Sequence, residues 1–336
     1  MSNETTLVVS SIVEFFLINL LNGLSYGLLL FMLSAGLTLI FSMLGVLNFA
    51  HASFYMLGAY LGYTLSGLWG YWAGLAIAPL ITGALGMLVE RFALRRLHTQ
   101  GQLAELLFTF GLAYVMLEIV QLIWGKLAVP YRIPDVLQGT LFTVYSSPFT
   151  LYRGFIAVLA LAILGMIYLV FSRTRTGLVI QAALTQPKMV EALGHNVPRV
   201  FMWVFGLGCG LAGLAGVVGG NLFVTEPGMA ASVGSIVFVV IVVGRMGSLS
   251  GAFLASMLIA LLQTFAVASD LSMLDVFNSI LSTPMVTNES TLCGLLSVRI
   301  SQVAPVLPFV ILLLMLMWRP HGLFGSKFQS DTKHAP

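Results

Sequence analysis

Apolar runs close to 20 residues long recur along nearly the whole chain, and they leave it few ways to fold. Ten can be marked, at roughly 13–34, 36–47, 51–70, 72–92, 103–125, 152–172, 198–220, 232–244, 251–268 and 299–318. A hydrocarbon core of about 30 Å takes about 20 helical residues at 1.5 Å each. Eight of the runs are long enough to cross it. The other two, 36–47 and 232–244, are not, and read as broken or half-helices unless they merge with a neighbour. The ten-residue alternation of a membrane β-barrel is absent. With 59% hydrophobic and 8% charged residues among 336, a soluble globular domain is excluded. The expected fold is an all-α polytopic membrane protein, one domain over residues 1–336, with about eight full transmembrane helices plus two short ones.

Two polar or glycine-rich interruptions stand out against this background. The first lies within GLTLIFSMLGVLNFAHASFYMLGAYLG, residues 36–62, where Gly45, Asn48, His51 and Ser53 fall together. Glycine weakens a helix, and Asn and His in hydrocarbon cost free energy unless they face protein or water. Such a break reads either as a turn at the membrane surface or as part of a pathway. The second break is GRMGSLSG, residues 244–251, with Arg245, Gly247 and Ser248. Arg245 fits an arginine snorkelling to the interface better than a solute ligand. Two breaks in corresponding places suggest two pseudo-repeated halves. On this reading 13–34 and 198–220 run outward, 36–47 and 232–244 return, and 51–70 and 251–268 run out again. The candidate pathway residues are Gly45, Asn48, His51, Ser53, Arg245, Gly247 and Ser248. Gly206, Gly210, Gly213 and Gly216, by contrast, read as small residues that let helices approach closely.

Positive charge orients the chain. Arg91, Arg95 and Arg96, then Arg173, Arg175, Lys188 and Arg199, then Arg319, Lys327 and Lys333 are all placed inside. The loop 269–298, with Asp270, Asp275 and Glu289 but no Lys or Arg, then falls outside. Before residue 72 the loops carry no Lys or Arg and the rule is silent. The largest inside loop, 173–199, predicts a short helix at about 186–193, capped by Thr185, started by Pro187 and ended by Gly194. It contains Glu191. Docking on a partner or lying on lipid headgroups would each stabilise so short a helix. Cys209 and Cys293 suggest neither a disulfide nor a metal set. P-loop, zincin and nucleophile-elbow motifs are absent, so nothing supports an enzyme or nucleotide hydrolysis by this chain. Nothing points to nucleic acid.

The segments NFAHASFYMLGAYLG, RTRTGLVIQAALTQPKMVEALGHNV, LAGLAGVV, VVGRMGSLSGAF and WRPHGLFG, in that order, resemble the permease subunit of branched-chain amino-acid ABC importers. The likeness runs from about Ile18 to Gly325. It implies a multi-pass protein of the bacterial inner membrane that moves branched-chain or similar small amino acids. Its partners would be a second related permease chain, two cytoplasmic ATP-binding subunits and a periplasmic solute-binding protein. No cofactor is expected in this chain, ATP being bound by the partners. Loop 173–199 would be the coupling element, through Pro187, Glu191 and Gly194, with 319–336 a cytoplasmic tail. The loop departs from the EAA-type spacing of other ABC importers. Where family members read Gly-Gly-Met-Gly-Ser, this chain has Gly244-Arg245-Met246-Gly247-Ser248. Permeases of the same superfamily for urea, short amides or carboxylates are the alternative. A stand-alone channel or secondary carrier would need a filter or an ion relay that the chain does not offer.

Overall fold

The structure is a computed structural model that describes residues 2–45, 47–145, 147–269, 299–319 and 322. The expectations placed on loop 269–298, on Cys293 and on Lys327 and Lys333 lie outside the described residues. Membrane-length helices dominate, because in hydrocarbon every backbone N–H and C=O must be satisfied within its own segment. In order they are α1 (Ser2–Leu44), α2 (His51–Trp69), α3 (Tyr71–Leu97) and α4 (Gln102–Trp124). A hairpin of β1 (Thr140–Val144) and β2 (Ser147–Thr150) follows. Then come α5 (Leu151–Arg173), α6 (Arg175–Thr185), α7 (Pro187–Ala192), α8 (Val197–Leu222), α9 (Met229–Gly244), α10 (Leu249–Ala268) and α11 (Ile300–Trp318). Among the described residues, seven helices are long and apolar enough to cross a membrane. The polar residues in α2 leave it outside that set, and α9, with 16 residues, is too short for it.

One expectation is corrected here. Segment 36–47 is not a separate half-helix: it continues α1, a single helix of 43 residues. The reason lies at Gly36. It is where α1 touches α8, and a Cβ there would meet the Gly208 carbonyl oxygen at 2.5 Å. The glycine serves close packing and costs the helix only about 1 kcal/mol.

The direction of α1 is corrected with it. Near its start, Glu14 accepts a hydrogen bond from Ser147 of the hairpin at 2.9 Å, and Asn22 accepts one from Arg153 at the start of α5. Near its end, Ser42 donates to the Gly247 carbonyl at 3.2 Å. Helix α1 therefore runs from the hairpin face to the face that carries the basic loops, and residues 13–34 do not run outward. The two breaks are then flanked by α1 and α2 and by α9 and α10.

Helix α8 is the centre of the packing. Its glycines sit where α1, α2 and α3 cross it: Gly208 against Gly36, Gly213 and Gly216 against α2, and Gly206 and Gly210 against Gly83 of α3. This is close packing by small residues, as the sequence suggests. Around these contacts Phe31, Tyr55, Met56, Tyr60, Phe205 and Ala212 form the main buried cluster.

Candidate functional site

The first break is a climb back into the protein. Helix α1 ends at Leu44, and Gly45 turns the chain with φ +66°, a conformation open to glycine. Asn48 then organises the start of α2. Its Oδ1 accepts from the Ala50 N–H at 3.0 Å, and its carbonyl accepts from the His51 N–H at 3.2 Å. His51 Nε2 lies 3.0 Å from the Leu33 carbonyl oxygen. A carbonyl can only accept, so Nε2 carries the proton. Leu33 is 11 residues before Leu44 in one helix, about 16 Å at 1.5 Å per residue, so the start of α2 packs well back along α1 rather than level with its end.

Asn48, His51 and Ser53 line one cavity of about 610 Å³. Its other walls are α4, through Phe110, Ala113, Tyr114 and Leu117, and α9, through Ala231, Gly234 and Ser235, with Phe309 of α11 closing one side. The lining is mostly apolar. At the break, Asn48 Nδ2 and His51 Nδ1 are buried and have no hydrogen-bond partner among the described residues. A neutral ring protonated on Nε2 leaves Nδ1 as an acceptor, so the break presents one donor and one acceptor. Ser53 Oγ reaches the Ala113 carbonyl only at 3.5 Å.

The second break lies elsewhere. Gly247, with φ +83°, and Leu249 line a smaller cavity of about 150 Å³ at the basic face, beside Ser42 of α1 and Gln181 of α6. Ser248 caps α10 by accepting from the Gly251 N–H at 3.2 Å. The structure thus brings Asn48, His51 and Ser53 together, and sets Arg245, Gly247 and Ser248 apart from them, next to loop 173–199. Arg245 has φ +80°, unusual for a residue with a Cβ, at the position where the resemblance in sequence expects glycine. Arg245→Gly should therefore raise the stability of the folded protein by roughly 1 kcal/mol. A melting temperature in detergent equal to or below that of the parent would show that the arginine's side-chain contacts outweigh the backbone strain.

The loop 173–199 holds two helices where one was expected. Thr174 caps the first of them, α6, its Oγ1 accepting from the Gly177 N–H at 3.0 Å, and Gln186 rather than Thr185 holds the cap position of α7. Helix α7 begins at Pro187, in its first turn as expected, and the chain turns at Gly194 with φ +86°. Val190 is buried with Ala183 and Val197, which fixes α7 on α6 and α8. Glu191, Met189 and Leu193 face outward.

The sequence reading missed a charged cluster beside this loop. Glu90, 1% exposed, sits at the start of a π-helical turn in α3, a distortion that is frequent at functional sites. Arg95 Nη2 is 3.5 Å from its carboxylate and donates to the Pro198 carbonyl of α8 at 2.8 Å. His98 Nδ1 is 2.6 Å from Glu105 Oε1 on α4. One turn further along α4, Thr109 Oγ1 accepts a long 3.4 Å bond from the Phe49 N–H of the first break. The available signal was ionisable residues at the ends of apolar runs.

The family model for the permease component of branched-chain amino acid transport systems matches residues 19–317. The high-affinity branched-chain amino acid transport system permease protein BraD of Pseudomonas aeruginosa is 27% identical over 92% of this chain and 96% of its own length. The corresponding permease protein LivH of Escherichia coli is 26% identical over 76% of this chain and 87% of its own. A probable LivH of Methanocaldococcus jannaschii is 28% identical over 73% and 80%. No solved structure gives a significant match. The chain is a multi-pass membrane protein and belongs to the family of branched-chain amino acid transport permeases.

Proposed function

We propose that the chain is the membrane-spanning subunit of an ABC importer that carries a branched-chain or similar small amino acid across the bacterial inner membrane. The observation that supports it best is the family match over residues 19–317 on a fold that carries a mostly apolar cavity with Asn48 and His51 in its lining. An aliphatic side chain suits the walls formed by Phe110, Leu117 and Ala231. The charged end of an amino acid suits Asn48 and His51. Urea or a short amide would leave the apolar walls unused. The chain transports rather than catalyses and takes no cofactor of its own. ATP is bound by two partner subunits at the basic face, a second related permease chain completes the pathway, and a periplasmic solute-binding protein delivers the solute at the hairpin face.

On this reading α7 is the coupling element, and Pro187, Glu191 and Gly194 shape what the ATPase holds. Met189 and Leu193 are 62% and 79% exposed on a basic-face loop, the kind of apolar surface that a partner covers. The test is ATP-driven uptake of labelled leucine by vesicles reconstituted with all subunits. The parent should take up leucine only with ATP. Glu191→Pro removes a helix N–H and clashes with the carbonyl four residues back, at about 3 kcal/mol. It should lower uptake at least tenfold while the complex still assembles. Uptake without ATP, or wild-type uptake by the proline variant, would overturn the reading.

A further inference from the structure

Three cavities follow one another along α1, and the one at the hairpin face has a charge character the others lack. It measures about 420 Å³ and is lined by Asn19, Asn22 and Ser25 of α1, Arg153 of α5, and Gln263 and Thr264 of α10. Asn19, Asn22 and Ser25 recur every three residues and so share one helix face. They lie about one hydrocarbon thickness from the basic end, since Asn22 and Ser42 are 20 residues apart in a single helix, about 30 Å.

Arg153 could have turned to water, as an arginine near a helix end usually does. Instead its guanidinium donates to Asn22 Oδ1 across the cavity. Among the described residues no carboxylate comes within ion-pair distance of it. The amide oxygen of Gln263, at the same wall, is buried and has no partner among the described residues. Among the described residues, then, the positive charge in this cavity is uncompensated and surrounded by neutral hydrogen-bonding groups. Its field is stronger there than in open water, because the surroundings polarise less. One N–H of the guanidinium is engaged by Asn22, which leaves donors for a bidentate pair with an oxyanion.

The floor of this cavity is the edge-to-face pair of Tyr26 and Phe223, with ring centroids 5.6 Å apart. Both rings also line the next cavity, of about 270 Å³, whose wall carries Glu226 and Ser232. That cavity shares Leu33 with the Asn48–His51 cavity. The order along the chain is thus cationic chamber, aromatic pair, chamber with a carboxylate, and then the large cavity.

We propose that the Arg153 chamber is a receiving site for the carboxylate of the transported amino acid, occupied before the solute passes the Tyr26–Phe223 pair. This rests on the amino-acid reading given above. A phospholipid phosphate is the other oxyanion that could reach an arginine at this depth, and the test separates the two.

Thr264→Cys is placed in the chamber in a Cys293→Ser background, with Cys209 kept because it is buried. The protein is reconstituted in phosphatidylcholine vesicles. The cysteine is treated with a negatively charged and with a positively charged methanethiosulfonate reagent. The ratio of the two rates should favour the anionic reagent and fall about tenfold in Arg153→Gln, with Arg153→Lys retaining most of it. Millimolar leucine should slow the anionic reagent severalfold, and isoamylamine, which is leucine without its carboxylate, should not. An unchanged ratio in Arg153→Gln, or equal protection by isoamylamine, overturns the proposal. Protection by added phosphatidylglycerol with none by leucine overturns it in favour of a lipid site. ATP-driven leucine uptake by the parent in the same vesicles tests the amino-acid reading separately, and can succeed where this site fails.

Discussion

Gly58→Leu should lower the amount of folded protein in the membrane at least severalfold, whereas Gly67→Leu, nine residues further along the same helix, should leave the amount unchanged. The two glycines share α2 and differ only in what they face. A Cβ at Gly58 would sit 2.7 Å from the carbonyl carbon of Gly213, and closer still to that residue's oxygen and Cα. All three are backbone atoms of α8, which cannot turn aside as a side chain can. Helices α2 and α8 would have to separate, and the packing of Tyr55, Ala59, Ala212 and Ala215 between them would open. Overpacking of this kind costs 1–3 kcal/mol where neighbours can adjust; against rigid backbone about 3 kcal/mol or more is expected, out of a total stability of roughly 5–15. A Cβ at Gly67 meets nothing within 4 Å. Leucine there also favours the helix by about 1 kcal/mol. The measurement is the monodisperse fraction recovered from solubilised membranes for the two variants and the parent. Equal recovery of the Gly58 and Gly67 variants would mean that the crossing of α2 and α8 does not hold the fold together.

The same contrast shows what the sequence could and could not reveal. An apolar run of 20 residues has one stable solution in a bilayer, so α3, α4, α5, α8, α10 and α11 were legible, within a few residues. Glycine was the ambiguous letter. At Gly45 and Gly247 it marks a turn with positive φ, whereas at Gly36 it marks a contact with α8, and nothing local in the sequence distinguishes the two. That ambiguity is why 36–47 was split from α1 and why the direction of α1 came out reversed. In loop 173–199 the cap at Thr174 starts a helix, α6, that the expectation of a single helix at 186–193 leaves out. The hairpin of β1 and β2 carried no clear alternation, its register being interrupted between Thr140 and Phe142. At the site, Asn48 and His51 could be picked out because polar groups are rare in an apolar run. The walls that Phe110, Tyr114, Ala231 and Gly234 contribute could not, since an apolar residue facing a cavity looks the same in sequence as one facing lipid. Glu90, Arg95, His98 and Glu105 come together only through the meeting of α3, α4 and α8.

The cavity prediction turns on Asn48, which does two things at once. Its Oδ1 holds the Ala50 N–H and so helps start α2, while its Nδ2 is a buried donor at the cavity with no partner among the described residues. We expect Asn48→Leu to lower the rate of ATP-driven uptake about tenfold or more at saturating binding protein, with the binding protein's own affinity for solute unchanged. One hydrogen bond that forms as the solute passes contributes about 1 kcal/mol, and leucine also removes the cap and fills part of the cavity. Because lost capping alone could misplace α2, the informative variant is Asn48→Ser. Its hydroxyl can still accept from the Ala50 N–H, but it is too short to replace the amide donor. If the donor meets the solute, Asn48→Ser should be slowed severalfold in uptake while its ATPase rate and its recovery from membranes match the parent. If Asn48→Ser transports at the parent rate and only Asn48→Leu fails, the residue shapes the turn into α2 and does not line the route. His51→Phe supplies the second arm: it removes both the Nδ1 acceptor and the Nε2 bond to Leu33, so it should lower uptake at least as far as Asn48→Leu. Normal uptake by the phenylalanine variant would place the route elsewhere, and the cavity between α2, α4 and α9 would then serve packing against a neighbouring chain.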